Sequence, residues 1–501
     1  MKRPTTLGEL QDSGYQVLPV KEELRNNLIA RMQKGEKLFP GIIGYEETVI
    51  PSLINAILAK HDIILLGLRG QAKTRLVRQL PTLLDEEIPI IKGSEVNDNP
   101  FAPVSKYGVD QVETCGKSTP IEWIPRAARF SEKLATPDVT IADIIGDIDP
   151  IKAATLRLHF SHEGAIHFGL IPRSNRGIFA INELPDLQPR IQVGLLNILE
   201  EKDVQIRGFN VRIPLDVMLV FTANPEDYTN RGSIITPLKD RIDSQILTHY
   251  PRTVKDAISI TEQEAWTERH GMQVVIPHYF KEIIEFIAIE ARKSEFVDQK
   301  SGVSARMTIA AMENLISNAE RRALALKETT ITPRICDLPY VLPGLTGKVE
   351  LVFEGEQEGA TKVGRSLIGK AVREVFKHYF PDPLQKPRTR GQAGSHEESE
   401  YAKIIQWFES GNTLEVSDTM PLYSYIAELE RVKGLRDLTK RYLKLDNASK
   451  EELASAMEFV LDGLHQNSKI AKDDVTNATV YKDMVSSIFT GRGGSTVEEF
   501  E

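Results

Sequence analysis

HDIILLGLRGQAKTRLVRQL, His61 to Leu80, is the stretch that organises the chain. Its apolar run, Ile63 to Leu66, breaks at Gly67, passes through Gly70, Lys73 and Thr74, and turns helical with Leu76, Val77 and Leu80. Strand, glycine turn and helix, in that order, read as a phosphate-binding loop, in which backbone N–H groups converge on one point and favour an anion there. The candidate loop runs through Gly67, Leu68, Arg69, Gly70, Gln71, Ala72, Lys73, Thr74 and Arg75. Lys73 is spaced to reach the β- and γ-phosphates of a nucleotide, and the Thr74 hydroxyl to ligate Mg²⁺. The spacing fits G-x-x-x-x-G-K-[ST] with one departure, Ala72 at the second glycine. A methyl group there is tolerable only if the residue has a helical, negative φ.

Upstream, LFPGIIGYEETVIPSLINAILAK predicts a helix from Glu46 up to the loop strand. Ile42 and Ile43, just before it, suit one wall of an adenine pocket as well as plain core packing. Residues 1–36 read as a packing arm or an inter-subunit contact, with an amphipathic helix, EELRNNLIARMQKGEKL, whose apolar face is Leu24, Leu28, Ile29 and Met32.

Downstream, Pro89 to Ser94 predicts a short strand, and a Pro- and Gly-rich stretch to Arg176 predicts a helix interrupted by a loop and β elements. His159, His162, Glu163 and His167 lack the spacing of a metal site. GIFAINELPDL, Gly177 to Leu187, predicts a buried strand ending on Asn182 and Glu183. The strand beside a phosphate loop delivers an acidic pair at this point, the first residue holding Mg²⁺ and the second polarising the attacking water. Asn182 offers Mg²⁺ an amide oxygen without charge, and Glu183 remains the base.

A helix (Ile191 to Leu199) and a hairpin turning near Gly208 precede an apolar strand, Val217 to Phe221. That strand leads into Thr222, Ala223 and Asn224. A polar side chain at the carboxyl end of a parallel strand faces the ligand crevice, so Asn224 is a candidate for positioning water or the γ-phosphate. Arg231 and Arg241 are candidates for a guanidinium lent to a neighbouring subunit's nucleotide. Arg241 is favoured by the short helix at Pro237–Asp240 before it. Residues 253–332 are helical by pattern, and Arg306 opens a helix where a lid arginine could read the phosphate state in cis.

Beyond residue 333 the reading is a small α/β connecting region (333–384) with a strand at Val349–Phe353, a flexible linker (385–400) and a helical domain (401–501). In the last, Tyr423, Tyr425, Ile426, Leu429 and Val432 form a core or docking face. GRSLIGKA, Gly364 to Ala371, only imitates a second phosphate loop, because it sits inside a continuous helical pattern and lacks the hydroxyl.

The chain has 501 residues, a formal charge of −9 and two cysteines, Cys115 and Cys336. The acidic balance argues against a constitutive grip on duplex nucleic acid, and two distant cysteines fit a reducing compartment. No apolar segment is long enough for a membrane span and no secretory h-region follows MKRPTTLGEL, so a cytoplasmic protein is expected.

With these motifs in hand, residues 37 to about 330 resemble AAA+ ATPases of the MoxR and magnesium-chelatase small-subunit group. The pieces that carry the resemblance are FPGIIGYEETV, GLRGQAKT, ATPDVTIADIIGDID, HFGLIPRSNRGIFAINELPDL, LLNILEEKDVQIRG, TANPEDY and TPLKDRID. The resemblance implies an α/β fold: a parallel-sheet P-loop core (37–252) with an insertion in helix two, a helical lid (253–332), then a mostly helical region. It implies Lys73 and Thr74 as Walker A, Asn182 and Glu183 as Walker B, Asn224 as first sensor, Arg241 as arginine finger and Arg306 as second sensor. It further implies ATP and Mg²⁺ as cofactors, a hexameric ring, and a protein client with a von Willebrand factor A-domain companion. A remodelling chaperone is the first expectation. The alternatives are a magnesium-chelatase-type motor for metal insertion, a sigma-factor-interacting transcription activator, which lacks its GAFTGA loop here, and a weakly hydrolysing nucleotide-gated scaffold.

Overall fold

The computed structural model describes residues 3–156, 163–206, 212–224, 233–269, 271–384, 400–475 and 478–484. They form two compact units, Met1–Tyr250 and Pro251–Glu501.

The first unit is built on five parallel strands: β1 (Ile63–Leu66), β2 (Phe130–Leu134), β3 (Gly177–Asn182), β4 (Val217–Ala223) and β5 (Ser244–Leu247), in the order β5-β1-β4-β3-β2. The central strands are short apolar runs because both faces are covered. Ile63 and Leu65 of β1, with Ile178 and Met218, enter one core with helices α1 (Val20–Gln33) and α2 (Val49–Leu58). Ile64 and Leu66, with Phe179 and Phe221, enter the opposite core with α3 (Pro189–Glu200). Alternate side chains of one strand thus feed two layers.

Several expectations change. The acidic-strand candidate β3 does not lie beside the loop strand; β4 stands between them. The segment expected as a strand from Pro89 instead pairs as Glu87–Ile91, antiparallel to Ile121–Pro125, outside the main sheet. The edge position is taken by β2. The helix after the phosphate loop is short, Lys73–Val77, and gives way to a 3₁₀ turn at Leu80–Leu83, because Pro81 has no N–H to continue it. The N-terminal helix is a packing arm. Val20, Leu24 and Leu28 lie in the core, Met32 is exposed, and the buried Glu23 takes a two-pronged hydrogen bond from Arg129 at 2.7 and 2.6 Å. Charge pairing, which apolar periodicity does not display, fixes that helix to the sheet.

The expected interruption of helix two is present. A capped turn at Ile141–Ile144 leads into Gly146–Ile148, which pairs antiparallel with Ile166–Phe168 before a second turn at Leu170–Arg173. His159 and His162 fall outside the described residues, as does Gly208. The hairpin arms around the latter are Asp203–Gln205 and Arg212–Pro214.

The second unit has one hydrophobic core, reaching from Ala265 to Tyr481. Its main helices are α4 (His278–Ala291), α5 (Ala305–Leu326), α6 (Ala360–Tyr379) and α7 (Lys450–Gln466). Lid, connecting region and C-terminal helices therefore share an interior, where pattern alone divides them. Gly364 to Ala371 lies within α6. The strand expected at Val349–Phe353 is absent: Leu351 makes a single bridge to Val297, and Phe353 starts a short helix with its ring exposed. Alternation without a partner strand is insufficient. A three-stranded antiparallel sheet, Leu414–Val416, Ala478–Lys482 and Ala471–Val475 in spatial order, stands near the end of a region expected to be helical. Tyr425, Leu429 and Val432 are core residues, whereas Tyr423 is exposed. No helix among the described residues is long and apolar enough to cross a membrane.

Candidate nucleotide site

The carboxyl ends of β1, β4 and β3 bring the candidate residues to one edge of the sheet, as parallel pairing requires. The loop after β1 is held by contacts that no motif announces. Thr248, just past β5, donates from Oγ1 to Gln71 Oε1 at 2.7 Å, and a Cβ on Gly67 would lie 1.8 Å from that hydroxyl. Gly67 is therefore required by packing. The buried Tyr45 hydroxyl donates to both Gln71 O (2.9 Å) and His249 O (2.7 Å), and burial pushes its pKa up to about 12. Tyr45 lay within a quoted motif, but only the fold shows what its hydroxyl reaches.

Gly70 and Ala72 both have positive φ, 74° and 55°. Ala72 thus occupies the left-handed region, contrary to the expected negative φ: closing the loop demands that conformation with or without a Cβ, at a cost of roughly 1–2 kcal/mol. Lys73 is buried, and its ammonium donates to the carbonyls of Gly67 and, at 3.1 Å, Leu68. A positive charge is thereby stored inside the loop. Thr74 and Leu68 are half-buried, while Arg69 and Arg75 point to solvent. Ile42 is a core residue and Ile43 is half-buried.

At the end of β3, Asn182 is buried, and its Nδ2 donates to Glu132 Oε1 at 2.6 Å. Thr222 on β4 donates to Asn182 Oδ1 (3.1 Å) and accepts from the Glu183 backbone N–H (3.2 Å). Glu183 itself sits at φ 55°, ψ 52°, a second non-glycine residue in the left-handed region at this edge. Such strain persists where the surroundings over-determine it, and it clusters at working sites. One strand over, Asn224 follows β4. It is 4% exposed, and among the described residues its Oδ1 has no hydrogen-bond partner. A buried acceptor without a donor is costly unless a ligand or water supplies one.

The remaining candidates are not gathered here. Arg241 closes the helix Thr236–Arg241, donates from Nε to Glu200 at 2.7 Å and is partly exposed. Arg231 lies outside the described residues. Arg306 is an exposed residue in the first turn of α5, in the second unit, after the N-capping Ser304.

Strand order, phosphate loop and interrupted second helix define the first unit as an AAA+-type P-loop core. A model of the sigma-54 interaction domain matches residues 159–245, from the insertion into the start of β5. The magnesium-chelatase 38 kDa subunit of Cereibacter sphaeroides is 27% identical over 237 residues, which is 46% of this chain and 65% of that protein. The chain is thus similar to that subunit, and the likeness spans less than two thirds of that protein's length. Among solved structures, the complex between subunits BchI and BchD of magnesium chelatase is similar at 21% identity and TM-score 0.33, over 64% of this chain and 98% of that one. NtrX from Brucella abortus is similar at 12% identity and TM-score 0.28, over 86% and 70%.

Proposed function

We propose that the chain is an ATPase that binds Mg-ATP on the loop Gly67–Arg75, hydrolyses it, and uses the cycle to remodel a partner protein as a cytoplasmic ring. The observation that carries this reading is the Oδ1 of buried Asn224, without a hydrogen-bond partner among the described residues, just past the strand between the phosphate loop and Glu183. A lone acceptor there suits a water held for attack, and Glu183 stands one strand away as the base that takes its proton. Lys73 moves from the loop carbonyls to the β- and γ-phosphates, exchanging two neutral acceptors for charged ones. Mg²⁺, when bound, neutralises phosphate charge; Thr74 and Asn182 are the residues that fit it, a hydroxyl and an amide oxygen. Thr222 positions both members of the 182–183 pair.

Arg241, tethered to Glu200 near the surface, is suited to act on a neighbour's nucleotide, and Arg306 to sense phosphate from the lid. The role of Arg241 requires the ring, hexameric in this reading, whereas Arg306 acts in cis; the ring's partner is a protein client with an A-domain companion. A second reading, a magnesium-chelatase-type motor for metal insertion, draws on the 27% identical relative. It separates from the first by which partner binds the ATP-loaded ring.

The test is steady-state ATP turnover with Mg²⁺ by the full chain, with its mass in the presence and absence of ATP. Lys73→Ala is expected to abolish nucleotide binding. Glu183→Gln should lower turnover by about 10²-fold or more while binding survives. Wild-type binding without turnover, alone or with a partner, refutes the motor and leaves a nucleotide-gated scaffold.

A further inference from the structure

Asn182 brings no charge to the end of β3, yet a carboxylate reaches the same point from another strand. Glu132 lies on β2, where it pairs in register with Ala180, two residues before Asn182. Its Oε1 accepts from Asn182 Nδ2 at 2.6 Å, while Thr222 donates to the amide oxygen on the other side. The amide is therefore oriented from both ends. Glu132 also accepts from Arg78, from Nε at 2.8 Å and Nη2 at 3.1 Å. Arg78 stands four residues after Thr74, and residues so spaced share a helix face. The face that carries the Thr74 hydroxyl, the Glu132 carboxylate and the Asn182 amide are thus joined in one chain of contacts. Glu132 is sheltered, its side chain 20% exposed, whereas Arg78 is 63% exposed, so solvent screens the guanidinium more than the carboxylate.

We propose that Glu132 supplies the negative charge of this chain's divalent-cation site, delivered from the neighbouring strand and positioned through the Asn182 amide. The inference rests on the nucleotide reading above. It makes Glu132 a positioning residue that acts on the cation by its charge and by holding Asn182. It also explains why position 182 holds an amide. An aspartate there would set two carboxylates in hydrogen-bonding contact, and one would have to take up a proton or withdraw.

The experiment measures binding of a fluorescent methylanthraniloyl-ADP to the full chain as Mg²⁺ is titrated, with circular dichroism to check each variant. Glu132→Gln is expected to raise the Mg²⁺ concentration for half-maximal effect by about 10- to 100-fold, the usual consequence of removing an outer-shell partner. Nucleotide affinity without Mg²⁺ should stay as in wild type. Asn182→Asp alone should bring no tightening of Mg²⁺, and Asn182→Asp with Glu132→Gln should restore wild-type Mg²⁺ dependence. An unchanged Mg²⁺ midpoint in Glu132→Gln overturns the proposal. If that variant does not fold, a tenfold tightening in Asn182→Asp alone overturns it instead. A wild-type protein that binds the nucleotide without any response to Mg²⁺ removes this inference only; one that binds no nucleotide at all removes the nucleotide reading and this inference with it.

Discussion

Glu23 in the P-loop unit and Glu458 and Glu285 in the helical unit are buried in opposite ways. In the P-loop unit, Glu23 faces a guanidinium: Arg129 grips both its oxygens, with the two side chains 5% and 1% exposed. In the helical unit, Glu458 accepts from the Tyr425 hydroxyl at 2.5 Å and from the backbone N–H groups of Ile335 and Cys336. Glu285 accepts from the Thr261 hydroxyl at 2.5 Å. Burial pushes both of these up to about 7 from the ordinary 4.5, against the opposing pull of those hydroxyls. The first arrangement stakes stability on a partner, the second on a proton.

The largest effect expected is from Glu23→Ala, which leaves the Arg129 charge buried alone and should cost the P-loop unit about 3–5 kcal/mol, read as lost amide-exchange protection across β1 and β2. If protection is lost equally in α4 and α7, the two units unfold together and the comparison breaks. Next is pH. The unfolded chain releases the Glu285 and Glu458 protons near 4.5, whereas the folded unit holds them to about 7. Their contribution is full below pH 4.5 and is lost as the pH rises to about 7, on the order of 3 kcal/mol for each group at most. Exchange protection in α4 and α7 should therefore fall from pH 5 to pH 8, after correction for intrinsic exchange, and Glu458→Gln should flatten about half of the slope. The smallest effect is a gain. Ala72→Gly removes the left-handed strain and should stabilise the P-loop unit by about 1 kcal/mol, visible as a rise of a few degrees in Tm. No change would mean that the loop relaxes around the methyl group.

The parts legible in sequence share one physical origin. A central parallel strand is covered on both faces, so it appears as a short apolar run that stops at a glycine or a polar residue, as at Gly67, Asn182 and Thr222. The edge strand β2 has no such mark. FSEKL alternates weakly, Leu134 is 54% exposed, and Glu132 shares a face with apolar neighbours. Only strand register brings it to Asn182. The missing charge at 182 was itself the available signal, since it called for a carboxylate nearby. Residues Thr248 and Tyr45 are similar cases, distant in sequence from the loop they hold. In the second unit, Leu414–Val416 is only three residues long and pairs with Thr479–Tyr481, so periodicity has too little to register. The unexpected φ of Ala72 shows a further limit: a motif specifies where a loop must close, and the backbone follows even when the residue resists.

The clamp on the phosphate loop has a mechanical side. Tyr45 ties Gln71 to the His249 carbonyl, and the Tyr250 hydroxyl donates to Arg69 O at 3.1 Å, while the seam between the units falls at Tyr250 and Pro251. Whatever holds His249 and Tyr250 in place therefore also holds Gln71 and Arg69, through two aromatic rings and not through the sheet.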